Sequence, residues 1–362
     1  MASAKYSFVL LSLVILVSCE DDEMGDMEVF DPTPYQLVLP TVLEPFEPLM
    51  KIPDDNPLTV EGVALGRKLF FETRLSADGT LSCAGCHIPD KSFAENKQFS
   101  TGIDGIEGTR NAQNIVNLSW MNSLFWDGRA ESIEKQALEP VVNPIEMHNS
   151  WSDVENELMS DDEYRQLFKA AFGTENIDSI LVVKAIAQFE RTLISGNSAF
   201  DRYLNEEPTG WKQEDFDAAL RGLDVFMAEE KGDCFHCHGD PTNPFWTDNL
   251  FHNNGLDATF SDLGLGAITG SESDNGKFKT PTLRNLLFTA PYMHDGRFNS
   301  LEEVVDHYST GLKNSPTIDP LMKKIDQGGA QLSPQDKSDL IMFMKSLTDS
   351  SFVNNPNFQD PE

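Results

Sequence analysis

The sequence predicts an all-α protein: two tandem helical units, rich in loops, that repeat one another. Three observations carry this. Five segments, Val154–Ala171, Ile177–Ser195, Gln213–Glu230, Leu301–Tyr308 and Pro334–Leu347, have apolar residues at helical spacing, while strand signals are sparse. A length of 362 residues is enough for two domains with separate cores. The block Asp127-Gly128-Arg129-Ala130-Glu131-Ser132-Ile133-Glu134 returns as Asp295-Gly296-Arg297-Phe298-Asn299-Ser300-Leu301-Glu302, with five positions identical at identical spacing. In both copies a serine stands where a helix N-cap is expected. Upstream, Gly66…Phe70 in Ala64-Leu65-Gly66-Arg67-Lys68-Leu69-Phe70 is echoed by Gly222…Phe226, and Arg110-Asn111 by Arg284-Asn285. The polar stretch Asn205 to Trp211, with Pro208-Thr209-Gly210, reads as the linker. It divides a first domain, 45–205, from a second, 206–350, followed by a tail, 351–362.

The chain begins with an export signal. Lys5 precedes an apolar run of 12 residues, Tyr6 to Val17, too short to span a bilayer, and then Leu16-Val17-Ser18-Cys19. Small Ser18 before a cysteine resembles a bacterial lipobox, which implies removal of 1–18, acylation of Cys19 and membrane attachment through lipid alone. The alternative is an ordinary signal peptide with an incidental cysteine. Glu20-Asp21-Asp22-Glu23 and the proline-dotted stretch from Pro32 to Pro48 then read as a solvated tether, 19–44. With 27 basic and 59 acidic residues the net charge is −32, which argues against nucleic acid or anionic lipid as partners.

The other four cysteines decide the chemistry. They fall in Cys83-Ala84-Gly85-Cys86-His87 and Cys234-Phe235-His236-Cys237-His238. Cys-x-x-Cys-His attaches a c-type haem: two thiols add to the vinyl groups, and the adjacent imidazole becomes the proximal iron ligand. A zinc site built from both pairs needs them close in sequence, whereas 147 residues separate Cys86 from Cys234. Disulfides and redox pairs give no reason for a histidine after each pair. Two covalent haems, one in each of two cytochrome c-like domains, follow.

Aligning the repeats exposes a difference. Eleven residues after Arg297 stands Tyr308; eleven after Arg129 stands Pro140. If that helix delivers a residue to the far face of its haem, Tyr308 can cap the second iron while Pro140 offers no donor to the first. An open iron suits peroxide or oxygen, and a capped one suits electron passage.

Leu65-Gly66, Leu69-Phe70-Phe71, Arg74-Leu75-Ser76, Asp78-Gly79-Thr80, Phe125-Trp126-Asp127-Gly128-Arg129, Pro281-Thr282-Leu283-Arg284-Asn285 and Thr289-Ala290-Pro291-Tyr292-Met293-His294-Asp295-Gly296 together resemble the bacterial di-haem cytochrome c peroxidase family. That family includes the MauG branch, which matures methylamine dehydrogenase by oxidising tryptophans on its partner. The resemblance spans about residues 45 to 350. It implies a peroxidatic haem 1 on His87 and an electron-accepting haem 2 on His238. It implies that Trp126 lies between the haems, where its plainer role is core packing. Gln136 and Glu146 match the distal-pocket pair. There a carboxylate moves the peroxide proton and an amide orients the peroxide; the plainer alternative for Glu146 is one more solvated surface charge. Asn111, with the carbonyls of Thr289 and Pro291, matches a calcium site; His294 matches a histidine close to the haems.

Two departures stand out. Many members ligate haem 1 at rest with a histidine from the loop after the first motif, but none occurs here between Ile88 and Met147. Tyr308 stands where a methionine usually ligates haem 2, with His307, Met293, Met342 and Met344 as rival ligands. His148, His236 and His252 are expected to be non-ligands. The implied activity is reduction of hydrogen peroxide with electrons from a c-type cytochrome or cupredoxin, by an exported, lipid-anchored enzyme of a Gram-negative bacterium. A homodimer is compatible with the sequence. Two competing readings are oxidation of aromatic residues on a partner protein and a non-catalytic electron-transfer cytochrome.

Overall fold

In the computed structural model, which describes Met1 and residues 30–361, the chain is mostly helical, with one short two-stranded sheet among the described residues. The signal segment Tyr6–Val17, the acidic run and Cys19 lie outside the described residues. The first half contains α1 (Val60–Phe70), α2 (Cys83–Cys86), α3 (Ile133–Val142), α4 (Trp151–Met159), α5 (Asp162–Phe172), α6 (Ser179–Glu190) and α7 (Ala199–Leu204). The second contains α8 (Gln213–Met227), α9 (Phe235–His238), α10 (Leu265–Thr269), α11 (Leu301–Asp306), α12 (Pro334–Ser346) and α13 (Ser350–Val353). Strands β1 (Phe251–His252) and β2 (Phe278–Lys279) pair antiparallel, with Phe251 opposite Lys279.

The repeat seen in the sequence is also a repeat of packing. Helix α1 packs on α6, and α8 packs on α12. Each contact is made at the glycine of the Gly-x-x-x-Phe echo. A Cβ on Gly66 would lie 1.8 Å from the Ala185 carbonyl oxygen, and one on Gly222 would lie 2.0 Å from that of Asp339. Only glycine allows so close an approach of backbones. The phenylalanines four residues on, Phe70 and Phe226, are buried in two separate hydrophobic clusters. Both Asp-Gly-Arg blocks fold alike: Leu124 bridges Ala130 and Tyr292 bridges Phe298, with Gly128 and Gly296 left-handed at φ 74° and 62°. Ser132 and Ser300 then cap α3 and α11, each Oγ accepting the backbone N–H three residues on.

Three expectations change. The single helix expected over 154–171 is broken at Ser160-Asp161, because the Asp161 side chain caps a new helix by accepting the N–H of Glu163. The helix expected to run through Tyr308 ends at Asp306 and continues as a π turn, His307–Gly311. The proline-dotted tether is packed from Thr33 onward: Val60 N donates to Thr33 O at 2.8 Å, Tyr35 N donates to Leu58 O at 3.0 Å, and Leu43 is fully buried beside Trp120 and Phe245. Prolines present no N–H to satisfy, so such a segment can lie on the surface while its apolar residues point inward.

The stretch beyond 350 also packs. Phe352 and Phe358 sit edge to face with Phe93 in the first cluster, at centroid distances of 5.8 and 6.4 Å. Arg67 donates to the carbonyls of Gln359 and Pro356, and Asp349 Oδ2 accepts from the backbone of Gly196 and Asn197.

Candidate functional site

Each Cys-x-x-Cys-His segment is a single helical turn opening onto a cavity. Cys83, Cys86 and His87 line the first, of about 970 Å³; Cys234, Cys237 and His238 line the second, of about 220 Å³. All four of these thiols are free, and burial pushes Cys83 up, Cys86 up to about 11 and Cys234 up to about 12. The histidines are oriented by the same device. His87 Nδ1 donates to Phe93 O at 2.9 Å, and His238 Nδ1 donates to Trp246 O at 3.2 Å. Phe93 and Trp246 are both buried and both left-handed, at φ 57° and 53°. A bulky side chain held there stores ~1–3 kcal/mol of strain. In return the backbone turns its carbonyl to the imidazole, fixing the tautomer and leaving Nε2 free. Burial also lowers both imidazoles, His238 to about 4, so they are neutral and competent to ligate. Paired thiols one turn apart, beside a neutral imidazole with its Nε2 free, fit a covalently held iron porphyrin in each cavity.

The first cavity collects the expected distal residues. Gln136 on α3 and Glu146, in the turn after it, both line it and are half-buried; Pro140 lines it without a donor atom. Glu146 is held by Asn143, whose Nδ2 donates to Oε1 at 2.8 Å. Burial raises the Glu146 carboxyl above the usual carboxylate range.

The second cavity receives Tyr308, Met293 and Met344. Asn254 Nδ2 donates to the Tyr308 hydroxyl at 3.1 Å, and burial pushes the phenol up to about 12. The rival His307 does not reach this cavity; its Nε2 donates to Asn254 O at 3.1 Å, and Met342 is likewise absent from the lining. The π turn is what separates the neighbours, aiming Tyr308 inward and tying His307 to the backbone. The three histidines expected to be non-ligands all meet carboxylates: His148 with Asp104, His236 with Asp233, and His252 with both Asp248 and Asp319. The Asp248 hydrogen bond, above all, raises His252 to about 11. With Asp248 and Cys237 it forms a close group, donor atoms within 4.8 Å, but the Cys237 sulfur belongs to the second motif.

The two cavities share a wall. Asn111, Trp126, Lys279 and His294 line both. Trp126 Nε1 donates to Asn111 O, Lys279 N to Trp126 O and Asn111 N to His294 O, each at 2.8 Å. His294 stacks on Phe278 at 3.7 Å, and burial lowers its imidazole. Thr289 and Pro291 line the second cavity with Asn111, whose Nδ2 donates to Lys97 O at 2.9 Å.

Sequence reasoning missed two residues. Glu190, at the end of α6, lines the first cavity at 3% exposure, its Oε2 has no hydrogen-bond partner, and burial pushes it up to about 8. Its position in an apolar helix was the available signal, masked by Arg191 next door, which pairs with Glu134 instead. Lys279 on the shared wall is the other.

The di-haem cytochrome c peroxidase family model matches residues 60–209. The methylamine utilization protein MauG of Methylophilus methylotrophus is 36% identical over 82% of this chain and 84% of its own length. The cytochrome c551 peroxidase of Nitrosomonas europaea is 32% identical over 84% of each. A solved MauG-like protein associated with microbial copper homeostasis superposes with TM-score 0.79 at 35% identity, covering 90% of this chain and 99% of that one. With two haem-attachment motifs opening on adjoining cavities and relatives this similar along most of its length, the chain belongs to the di-haem cytochrome c peroxidase and MauG family.

Proposed function

We propose that this oxidoreductase reduces hydrogen peroxide to water in the first cavity, with electrons that arrive through the second. Cys83, Cys86 and His87 hold one c-type haem in the domain 45–205, and Cys234, Cys237 and His238 hold another in the domain 206–350. Iron porphyrins supply the redox chemistry: each peroxide takes up two electrons and two protons to give two waters. The observation that carries the reading is the shared cavity of His87, Gln136 and Glu146, joined through Trp126 to the cavity of His238 and Tyr308. Glu146 would take a proton from one oxygen of peroxide at its carboxylate and return it to the other. Asn143 keeps that carboxylate in place, and the Gln136 amide orients the peroxide. With haem bound, Tyr308 would offer the second group a phenolic donor, hard and favouring ferric iron, whereas Pro140 would offer the first none. The Asn111 side chain and the carbonyls of Thr289 and Pro291 form an all-oxygen site for calcium at the junction.

A c-type cytochrome or cupredoxin is the donor, and the enzyme works outside the cytoplasm, held by a lipid on Cys19. No helix among the described residues is long and apolar enough to cross a membrane. The test is a steady-state assay of the fully haem-loaded protein with peroxide and a reduced c-type cytochrome or cupredoxin. Turnover is expected; none with any donor overturns the reading.

A second reading is oxidation of aromatic residues on a partner protein. Tyr308 at the wall of the second cavity favours it, together with the identity to MauG. Treating candidate partners with the enzyme and peroxide should then change their mass, and an unchanged mass removes this reading.

A further inference from the structure

Of the described arginines and lysines that line the two cavities, all but one are paired with carboxylates. Arg110 pairs with Asp127 and with Asp262 at 2.7 Å, Arg129 with Glu139 at 2.8 Å, and Lys323 with Asp233 at 2.9 Å. Lys279 is 5% exposed, borders both cavities, and its Nζ donates to Ser123 O at 2.8 Å. Among the described residues no carboxylate pairs with it, and burial alone acts on it, lowering it to about 8. An ammonium buried with one carbonyl partner is costly unless an anion completes it. The protein supplies none, so the missing anion must come from what fills the cavities. A haem carries carboxylates of its own, the propionates at the porphyrin edge.

We propose that Lys279 is the counter-ion of the junction: its ammonium pairs with a haem propionate and thereby raises the reduction potential of that haem. This rests on the two-haem reading above. The physical reason is Coulombic. A cation near a porphyrin favours the reduced state, which carries one positive charge less, and in a water-poor junction that preference is weakly screened. Lys279 is a positioning residue; it touches neither peroxide nor iron. Its backbone N–H holds the Trp126 carbonyl, so the same residue that balances the propionate also fixes the bridge between the cavities.

The experiment compares wild type with Lys279→Met and Lys279→Arg, after haem content is counted by pyridine haemochrome and protein mass. Fewer than two haems in the wild type overturns the two-haem reading itself and leaves the charge argument for Lys279 distinguishable from it. Spectroelectrochemical titration then reads both midpoint potentials, and resonance Raman reads the propionate bending modes. In Lys279→Met one haem is expected to become harder to reduce and its propionate mode to move, while Lys279→Arg returns both toward wild type. Which haem responds identifies the cavity that supplies the propionate. If Lys279→Met does not load haem, Lys279→Gln, neutral yet able to reach Ser123 O, is titrated in its place with the same expectation. Unchanged potentials in a fully loaded neutral variant overturn the proposal. So does a Lys279→Arg shift equal to that of Lys279→Met, which would assign the effect to shape rather than charge.

Discussion

Glu190 offers a direct measure of how strongly the first cavity opposes charge. It ends α6 with one carboxyl oxygen unpartnered, and burial raises it from 4.5 to about 8. Between those values the folded protein retains a proton that the unfolded chain has lost. Stability is therefore fully present below pH 4.5, falls as pH rises toward 8, and is flat beyond. A gap of about 3.5 units at ~1.4 kcal/mol each sets a ceiling of about 5 kcal/mol on this loss. Glutamine has the shape of the protonated acid and cannot ionise. Chemical denaturation of wild type and Glu190→Gln, followed by circular dichroism at a series of pH values, is expected to give similar stabilities in acid. The curves should then diverge by a few kcal/mol in favour of the variant toward pH 8.5. Parallel curves across that range would refute the argument, because they would mean that Glu190 ionises as freely in the folded protein as in the unfolded one.

Glu146→Gln keeps an acceptor for Asn143 but cannot shuttle a proton; kcat for peroxide is expected to fall ~10²–10⁴-fold with haem content unchanged, checked by steady-state kinetics. Because burial raises the Glu146 carboxyl, the wild-type rate should drop on acidification at a pH above the ordinary carboxylate range, and the variant should lack that limb. Tyr308→Phe is expected to change the optical and magnetic spectrum of one haem and leave the other untouched; identical spectra would exclude a phenolic ligand. Gly66→Ala drives a methyl into the Ala185 carbonyl and should lower stability by ~1–3 kcal/mol, read by thermal melting.

What could be read from the sequence was local. Cys83–His87 and Cys234–His238 are contiguous motifs, and a one-turn helix presents them whatever surrounds it. The Asp-Gly-Arg repeat was legible because its turn is built from its own residues, with glycine where the backbone is left-handed. The five expected helices are present in substance, since amphipathic spacing reports burial on one face. What escaped depends on partners far along the chain. Lys279 looks like any solvated lysine until β2 pairs with β1 and its N–H finds Trp126. Glu190 stands next to Arg191 in sequence, yet Arg191 turns to Glu134 on α3. The π turn that separates His307 from Tyr308 has no signature in composition, so that Tyr308 lines the second cavity and His307 does not is visible only in the fold.

The aromatic plug made by Phe352 and Phe358 imposes an order on biogenesis. The interior around Phe93 is completed by residues far along the chain, so the core of the first half cannot close until the segment carrying Phe352 and Phe358 has been made and has docked. A change at Phe352 or Phe358 therefore threatens a core whose other members lie mostly in the first half of the sequence.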